Sequence, residues 1–182
     1  IEDKISDCRW ADVCYADDEL EGHKLDIYLP DTGKSSHKVV VLIYGSAWFA
    51  NNMKQNAFQV FGRSLLDKGF AVVSINHRSS RDAKFPAQIN DVKAAIRFIR
   101  ANAAKYKLDT SFIGITGFSS GGHLASLAGT TNGVKSYTIG DKTVDLEGNV
   151  GEYFSFSSRV DAVVDWFGPI DMTRMENCNT TK

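Results

Sequence analysis

The segment Gly117-Phe118-Ser119-Ser120-Gly121 places a serine between two glycines, each two positions away. A serine hydroxyl attacks a carbonyl usefully when a general base takes its proton and nearby N–H groups receive the negative charge that develops. The glycines suit that chemistry because a tight strand-to-helix turn brings backbones into contact where a Cβ would not fit. A chain of this length shows the bare pattern by chance about one time in fifteen, so its position has to decide. It falls where the apolar run Phe112 to Phe118 ends and the short apolar stretch Leu124-Ala125-Ser126-Leu127-Ala128 begins, the strand–turn–helix setting that a nucleophilic serine requires. Ser119 is therefore the expected nucleophile, with the N–H of Ser120 at the helix start as first oxyanion donor.

A second donor arm is expected from a loop after an earlier strand. Tyr44-Gly45-Ser46-Ala47-Trp48 directly follows the β-branched run Val39-Val40-Val41-Leu42-Ile43. Small residues let the backbone approach a substrate oxygen, so Ser46 and Ala47 are the expected N–H donors and Trp48 the expected pocket wall. Backbone donors at 46 and 47 are expected to need negative φ.

The elements that must hold these groups follow from periodicity. Arg9 to Tyr15 and His23 to Leu29, separated by acidic residues and Gly22, read as an antiparallel pair. Val39 to Tyr44 is an uninterrupted apolar run, as expected of a strand covered on both faces, and Phe70 to Ile75 reads as the next buried strand. Between them Phe58, Phe61 and Leu65 mark a helical face that Gly69 ends, and Pro86 opens a second helix with Ile89, Val92, Ile96, Ile99 and Ala103 at helical spacing. A last strand spans Val160 to Phe167, before Gly168-Pro169. Alternating strands and helices predict an α/β chain: a mostly parallel sheet with an antiparallel N-terminal edge in three αβα layers. The polar segment from about 131 to 158 is too long for an ordinary connection and is expected to carry its own hairpin or to lie over the site.

Composition narrows the function. The formal charge of −1, with acidic and basic residues interspersed, excludes an electrostatic footprint for nucleic acid or anionic membrane. No apolar run approaches a membrane span, and Ile1-Glu2-Asp3 resembles neither an initiator nor a signal segment, which points to removal of something upstream. Cys8, Cys14 and Cys178 lack the spacing of a zinc site and the density of a disulfide scaffold. They read as buried reduced thiols, a Cys8–Cys14 bridge requiring an intervening turn. Neither a metal nor a cofactor is expected.

The two motifs and the segments between them resemble the hormone-sensitive-lipase-like α/β-hydrolases, in the branch that includes bacterial feruloyl and acetylxylan esterases. The similarity runs from about Lys24 to Met172 and is most specific across Gly117 to Ala125, including Gly122 and His123. Asn76-His77-Arg78 resembles the family's NYR, Phe85-Pro86 with Asp91 its next helix start, and Trp166-Phe167-Gly168-Pro169-Ile170-Asp171 its WFGPxD strand end. The resemblance implies an α/β-hydrolase fold, with Gly117, Gly121 and Gly122 as structural glycines of the nucleophile elbow. It also implies cleavage of short acyl or phenolic esters of small molecules or plant polysaccharide through an acyl-serine, and a periplasmic or secreted location.

Three departures qualify the resemblance. Relatives carry His-Gly-Gly-Gly-Trp where this chain has Tyr44-Gly45-Ser46-Ala47-Trp48, and their NYR tyrosine is His77 here. The third is an absence: in this fold the acid and histidine follow the serine, yet the only histidine after Ser119 is His123, one turn along the elbow helix, where the family has a packing residue. His23, His37 and His77 precede the serine and are assigned surface or supporting roles; Asp165 and Asp171 do not match the family's acid. The chain is thus expected to be one α/β-hydrolase domain, truncated at the C-terminus, its last strand left as an edge for association or for a missing C-terminal segment. A non-catalytic α/β-hydrolase-like binding module is the rival reading, and an amidase or formamidase would use the same residues.

Overall fold

Side chains alternate across a strand, and along β3 (His37–Ile43) that alternation divides the core in two. Val39, Val41 and Ile43 join one apolar cluster, while Val40, Leu42 and the following Tyr44 join another. A strand apolar on both faces has to be covered on both, and the computed structural model, which describes residues 8–178, shows helices on each side of the sheet.

The sheet has six strands in the order β1-β2-β4-β3-β5-β8. β1 (Cys8–Cys14) pairs antiparallel with β2 (Lys24–Tyr28), and β2 pairs antiparallel with β4 (Ala71–Ile75). β4, β3, β5 (Leu108–Phe118) and β8 (Ala162–Trp166) run parallel, with Ile43 opposite both Ile75 and Gly117. The expected antiparallel edge and parallel centre are both present, and the fold is that of an α/β-hydrolase. Cys8 and Cys14 are free and half-buried at the two ends of one extended strand, where no bridge between them forms. The side chain of Cys178 and the opening Ile1-Glu2-Asp3 lie outside the described residues.

One face of the sheet is covered by α1 (Lys54–Ala57), a π-helical stretch at Phe58–Gly62 and α2 (Arg63–Asp67). Phe58 stacks on Tyr28 with ring centroids 3.6 Å apart, and its ring lies where a Cβ on Gly62 would be. The opposite face carries α3 (Ala87–Ala101) and α4 (Ser120–Thr130). Ile89, Val92, Ile96 and Ile99 of α3 and Leu124, Ala125 and Ala128 of α4 pack on that side, each large apolar side chain contributing roughly 1.5–3 kcal/mol through burial.

Helix α3 is buried beyond its apolar stripe, since Asp91, Lys93 and Arg97 are also inaccessible. The segment from 131 to 158 explains Lys93 and Arg97. It contains a hairpin, β6 (Ser136–Ile139) with β7 (Lys142–Asp145), and hydrogen bonds anchor it to Asn90, Lys93, Arg97 and Arg100 of α3. Lys93 and Arg97 both pair with Glu147. Among the described residues, no helix is long and apolar enough to cross a membrane.

Candidate active site

The turn between β5 and α4 is assembled from contacts that leave no space for side chains. A Cβ on Gly117 would lie 2.5 Å from the backbone of Gly121, and one on Gly121 would lie 2.4 Å from the carbonyl oxygens of Ile43 and Tyr44. Strand, elbow and helix therefore touch through bare backbone. Ser119, held between them, takes φ 54° and ψ −127°, an uncommon conformation for a residue with a side chain that costs on the order of 1–3 kcal/mol and persists only where the surroundings impose it. Its N–H donates to Trp166 O at 3.0 Å and its carbonyl accepts the N–H of His123 at 3.1 Å, so the turn is fixed from both sides.

Gly45 brings the second loop to the serine. A Cβ there would meet Phe118 O at 2.6 Å and the Ser119 Cβ at 2.8 Å. This glycine is not among the residues expected at the site, although its place at the head of a small-residue loop is a usable signal.

Beyond Gly45 the loop departs from expectation. Phe49 N–H donates to Ser46 O at 2.9 Å, and the two residues between have positive φ, 49° at Ala47 and 62° at Trp48. Two left-handed central residues define a type I′ turn, so the negative φ expected at 47 is not adopted. The Ser46 N–H donates to Ser120 Oγ at 2.9 Å, tying loop to elbow with an amide that was expected to face substrate. The Ala47 amide has no partner among the described residues and lies at an exposed position. Ser120 is the first residue of α4, where helix geometry leaves the N–H without an intrahelical acceptor.

Trp48 is half-buried and stands edge-on to His123, centroids 5.3 Å apart at 85°. His123 Nδ1 is buried without a partner. Burial holds this imidazole below its usual pKa, against a smaller opposing effect of Asp165. Asp165 acts structurally. Its Oδ1 accepts Gly168 N–H at 2.7 Å and its Oδ2 accepts the Ser126 hydroxyl at 2.7 Å, joining the end of β8 to α4. A Cβ on Gly122 would lie 2.2 Å from the same Oδ1, which gives that glycine its role. No sequence signal indicates this bridging role for Asp165.

The earlier histidines lie elsewhere, and none is on the surface. His23 bridges Asp18 and Asp91, His37 contacts Thr32, and His77 lies against Tyr44. Among the described residues no histidine side chain hydrogen-bonds to the Ser119 hydroxyl. The arrangement supplies a half-buried serine and nearby amides, and among the described residues no side-chain base is hydrogen-bonded to the Ser119 hydroxyl.

The chain is similar to "Esterase LipQ" of Mycobacterium tuberculosis, 34% identical over 139 residues, which are 76% of this chain and 30% of that protein. It is also similar to "Probable carboxylic ester hydrolase LipM" of the same organism, 33% identical over 169 residues, 92% of this chain and 36% of the relative. It thus spans about a third of these curated relatives. Among solved structures, a bifunctional GH43-CE from Bacteroides eggerthii matches with TM-score 0.92 and 92% identity, over 100% of this chain and 26% of that one. A truncated form of a carbohydrate esterase from gut microbiota matches with TM-score 0.91 and 64% identity, over 93% and 59%. The family model described as BD-FAE matches residues 25–182, and with the elbow and fold described above, the chain belongs to that family of α/β-hydrolases.

Proposed function

We propose that this chain carries the nucleophile and oxyanion-binding part of a serine esterase acting on ester-decorated carbohydrate. The observation that carries the reading is Ser119 at φ 54°, with Gly45 against its Cβ, in a turn that Gly117 and Gly121 close by backbone contact with each other and with the end of β3. A strained serine in a turn this tightly closed has no evident purpose in holding the fold together, and such conformations collect at reacting centres. The names of the relatives supply the ester, and those of the two solved structures supply the carbohydrate.

In this mechanism Ser119 Oγ bonds to the ester carbonyl carbon while its proton passes to a base. The carbonyl oxygen, now negative, is held by the amides of Ser120 and Ala47, with Ser46 joining if its amide turns from Ser120 Oγ. The C–O bond to the alcohol then breaks as the alcohol takes the proton, leaving an acyl-serine that water opens by the same steps in reverse order. Trp48, half-buried and edge-on to His123, is assigned to the wall beside the serine. Short acyl or phenolic esters are the substrates that the family resemblance implies for this serine.

The chain spans about a third of its curated relatives, and the base and its acid are assigned to the part of such a protein that this chain does not span. β8 is the last strand in the sheet order, and Val164, Trp166 and Phe167 on and after it are exposed. Beside it runs an apolar groove of about 360 Å³ lined by residues including Val40, Phe61, Phe112 and Trp166. Further strands and a helix docking there would bring an acid and a histidine to the C-terminal edge of the sheet. The competing reading, a binding module without catalysis, draws on the lack, among the described residues, of a histidine side chain bonded to the Ser119 hydroxyl and on the altered 44–48 loop.

A fluorophosphonate probe applied to the full-length protein separates the two. A mass adduct on Ser119, lost in Ser119→Ala together with hydrolysis of p-nitrophenyl acetate, is the expected result. Absence of both adduct and turnover would leave the binding module.

A further inference from the structure

Phe167 is the most exposed large apolar side chain among the described residues, 78% accessible, and it takes φ 49°, in the left-handed region. A bulky residue rarely adopts that conformation, because its Cβ crowds a neighbouring carbonyl oxygen. We infer that Phe167 is a substrate-stacking residue of the candidate site, its ring a platform for the sugar that carries the ester. The inference rests on the esterase reading above and deepens it by naming what holds the alcohol portion.

The placement follows from the ladder between β5 and β8. Phe118 is opposite Trp166, and Ser119 N–H donates to Trp166 O at 3.0 Å, which continues the parallel pairing by one residue and sets Ser119 level with Phe167. Neighbouring strands lie about 4.8 Å apart, so Phe167 leaves the C-terminal edge of the sheet one strand away from the nucleophile. On the other side of Ser119, Gly45 approaches its Cβ and leads into the loop of Ala47 and Trp48. Trp48 is itself an aromatic residue with positive φ, 62°. The serine thus stands between two strand ends, each with an aromatic residue on a left-handed backbone just beyond it. The apolar groove that takes in Val164 and Trp166 does not include Phe167.

The backbone of Phe167 is constrained from both sides. Trp166 before it is held by the Ser119 N–H, and Gly168 after it donates to Asp165 Oδ1 at 2.7 Å and packs where a Cβ would lie 2.4 Å from His123 N. Glycine at 167 would meet those constraints without strain. A phenyl ring stands there instead, open to water, and strained residues that the surrounding structure over-determines cluster at ligand contacts. The face of an aromatic ring is the negative side of its quadrupole, against which the C–H face of a sugar ring packs while the sugar hydroxyls stay in water. So open a platform suits the large, hydrated alcohol portion of a carbohydrate ester. The acyl group has a different destination, because its carbonyl must reach Ser119 and the amides of Ser120 and Ala47.

The test uses the full-length protein with Phe167→Ala and Phe167→Trp. Phe167→Ala is expected to lower kcat/KM for acetylated xylotetraose about tenfold relative to kcat/KM for p-nitrophenyl acetate, the scale of one lost aromatic anchor, with the loss carried by KM. Phe167→Trp keeps a ring face and should hold the ratio near that of the parent. Methyl ferulate, a phenolic ester whose alcohol is only methanol, separates the two ends of the substrate: its ratio to p-nitrophenyl acetate should change by less than about twofold in Phe167→Ala. In the Ser119→Ala background, calorimetry with xylotetraose reads binding without turnover, and adding Phe167→Ala should weaken it about tenfold. Phe167→Gly removes the ring and accepts the backbone, so its urea midpoint should be no lower than that of the parent. Three results would overturn the platform: unchanged xylotetraose affinity, a fall in the methyl ferulate ratio in place of the xylotetraose ratio, or a lowered urea midpoint in Phe167→Gly, which would show the ring to be packed. Absence of any Ser119-dependent turnover in the parent would instead overturn the esterase reading, and calorimetry alone would then decide Phe167.

Discussion

The α-carbon of Gly121 faces the carbonyl oxygen of Ile43 so closely that a Cβ would lie 2.4 Å from it, with Tyr44 O equally near. Because both obstacles are backbone at the end of the central strand, no side-chain rotation relieves them. Gly121→Ala must push α4 away from β3 and move Ser119 with it. We expect a loss of about 3 kcal/mol, the upper part of the usual range for overpacking, and loss of fluorophosphonate labelling. Gly114→Ala is the control. There a Cβ would meet only the Phe112 ring at 3.4 Å and Val40 at 3.7 Å, and replacing a strand glycine lowers unfolded-state entropy. Urea unfolding of the two variants should differ by several kcal/mol.

Glu147 holds the 131–158 segment on α3 by neutralising two cations whose side chains are each 1% exposed, Lys93 and Arg97. Burial lowers the Lys93 pKa, and Glu147 opposes that shift. Glu147→Ala leaves both cations buried without a carboxylate, a change expected to cost roughly 3–5 kcal/mol. The segment should then lift from α3. Limited proteolysis ought to cut within 131–158 in the variant well before the wild type, and equal cutting rates would contradict this account.

Stability should also depend on pH through His23. Burial pulls its pKa down, but the hydrogen bonds and charges of Asp91 and then Asp18 outweigh burial and raise it above the ordinary value. Arg78 shares Asp91, and the Tyr15 ring lies 5.3 Å away. A group whose pKa is higher folded than unfolded stabilises fully below its unfolded value of about 6.5. That contribution fades as pH rises through the folded value. The stability difference between wild type and His23→Gln, from urea titrations, should therefore be larger at pH 6 than at pH 8.5; a constant difference would show that His23 is not the titrating group.

Much of the fold is readable from residue order, and the limits are physical. The runs 39–43 and 71–75 suit only strands covered on both faces, and the glycines at 117 and 121 identify the elbow because backbone contact admits nothing larger. The turn at Ala47 and Trp48 is not legible, since positive φ is ordinarily signalled by glycine or asparagine and neither is present. The buried charges of α3 are equally hidden. Lys93 and Arg97 look like a solvated helix face until Glu147, far along the chain, is folded against them. Long-range pairing also joins Tyr44 to His77 and commits the Ser46 amide to Ser120, and no local pattern encodes either contact.

The edge of the sheet gives the last prediction. Val164 belongs to β8 and lines the apolar groove, yet it is 50% exposed. Phe61 stacks on Trp166 across the same surface with centroids 5.6 Å apart. An unpaired strand edge beside an apolar face invites another strand or another chain. If following chain covers the groove in the full-length protein, Val164→Glu buries a charge there and should destabilise by about 3 kcal/mol or more. If the groove stays open to water, the same substitution should change stability by less than about 0.5 kcal/mol. A polypeptide of residues 1–182 alone should meanwhile associate in a concentration-dependent way, measured by sedimentation, and Val164→Glu should reduce that association. Cost in the long form together with relief in the short one would identify the groove as a surface that the rest of the full-length protein covers.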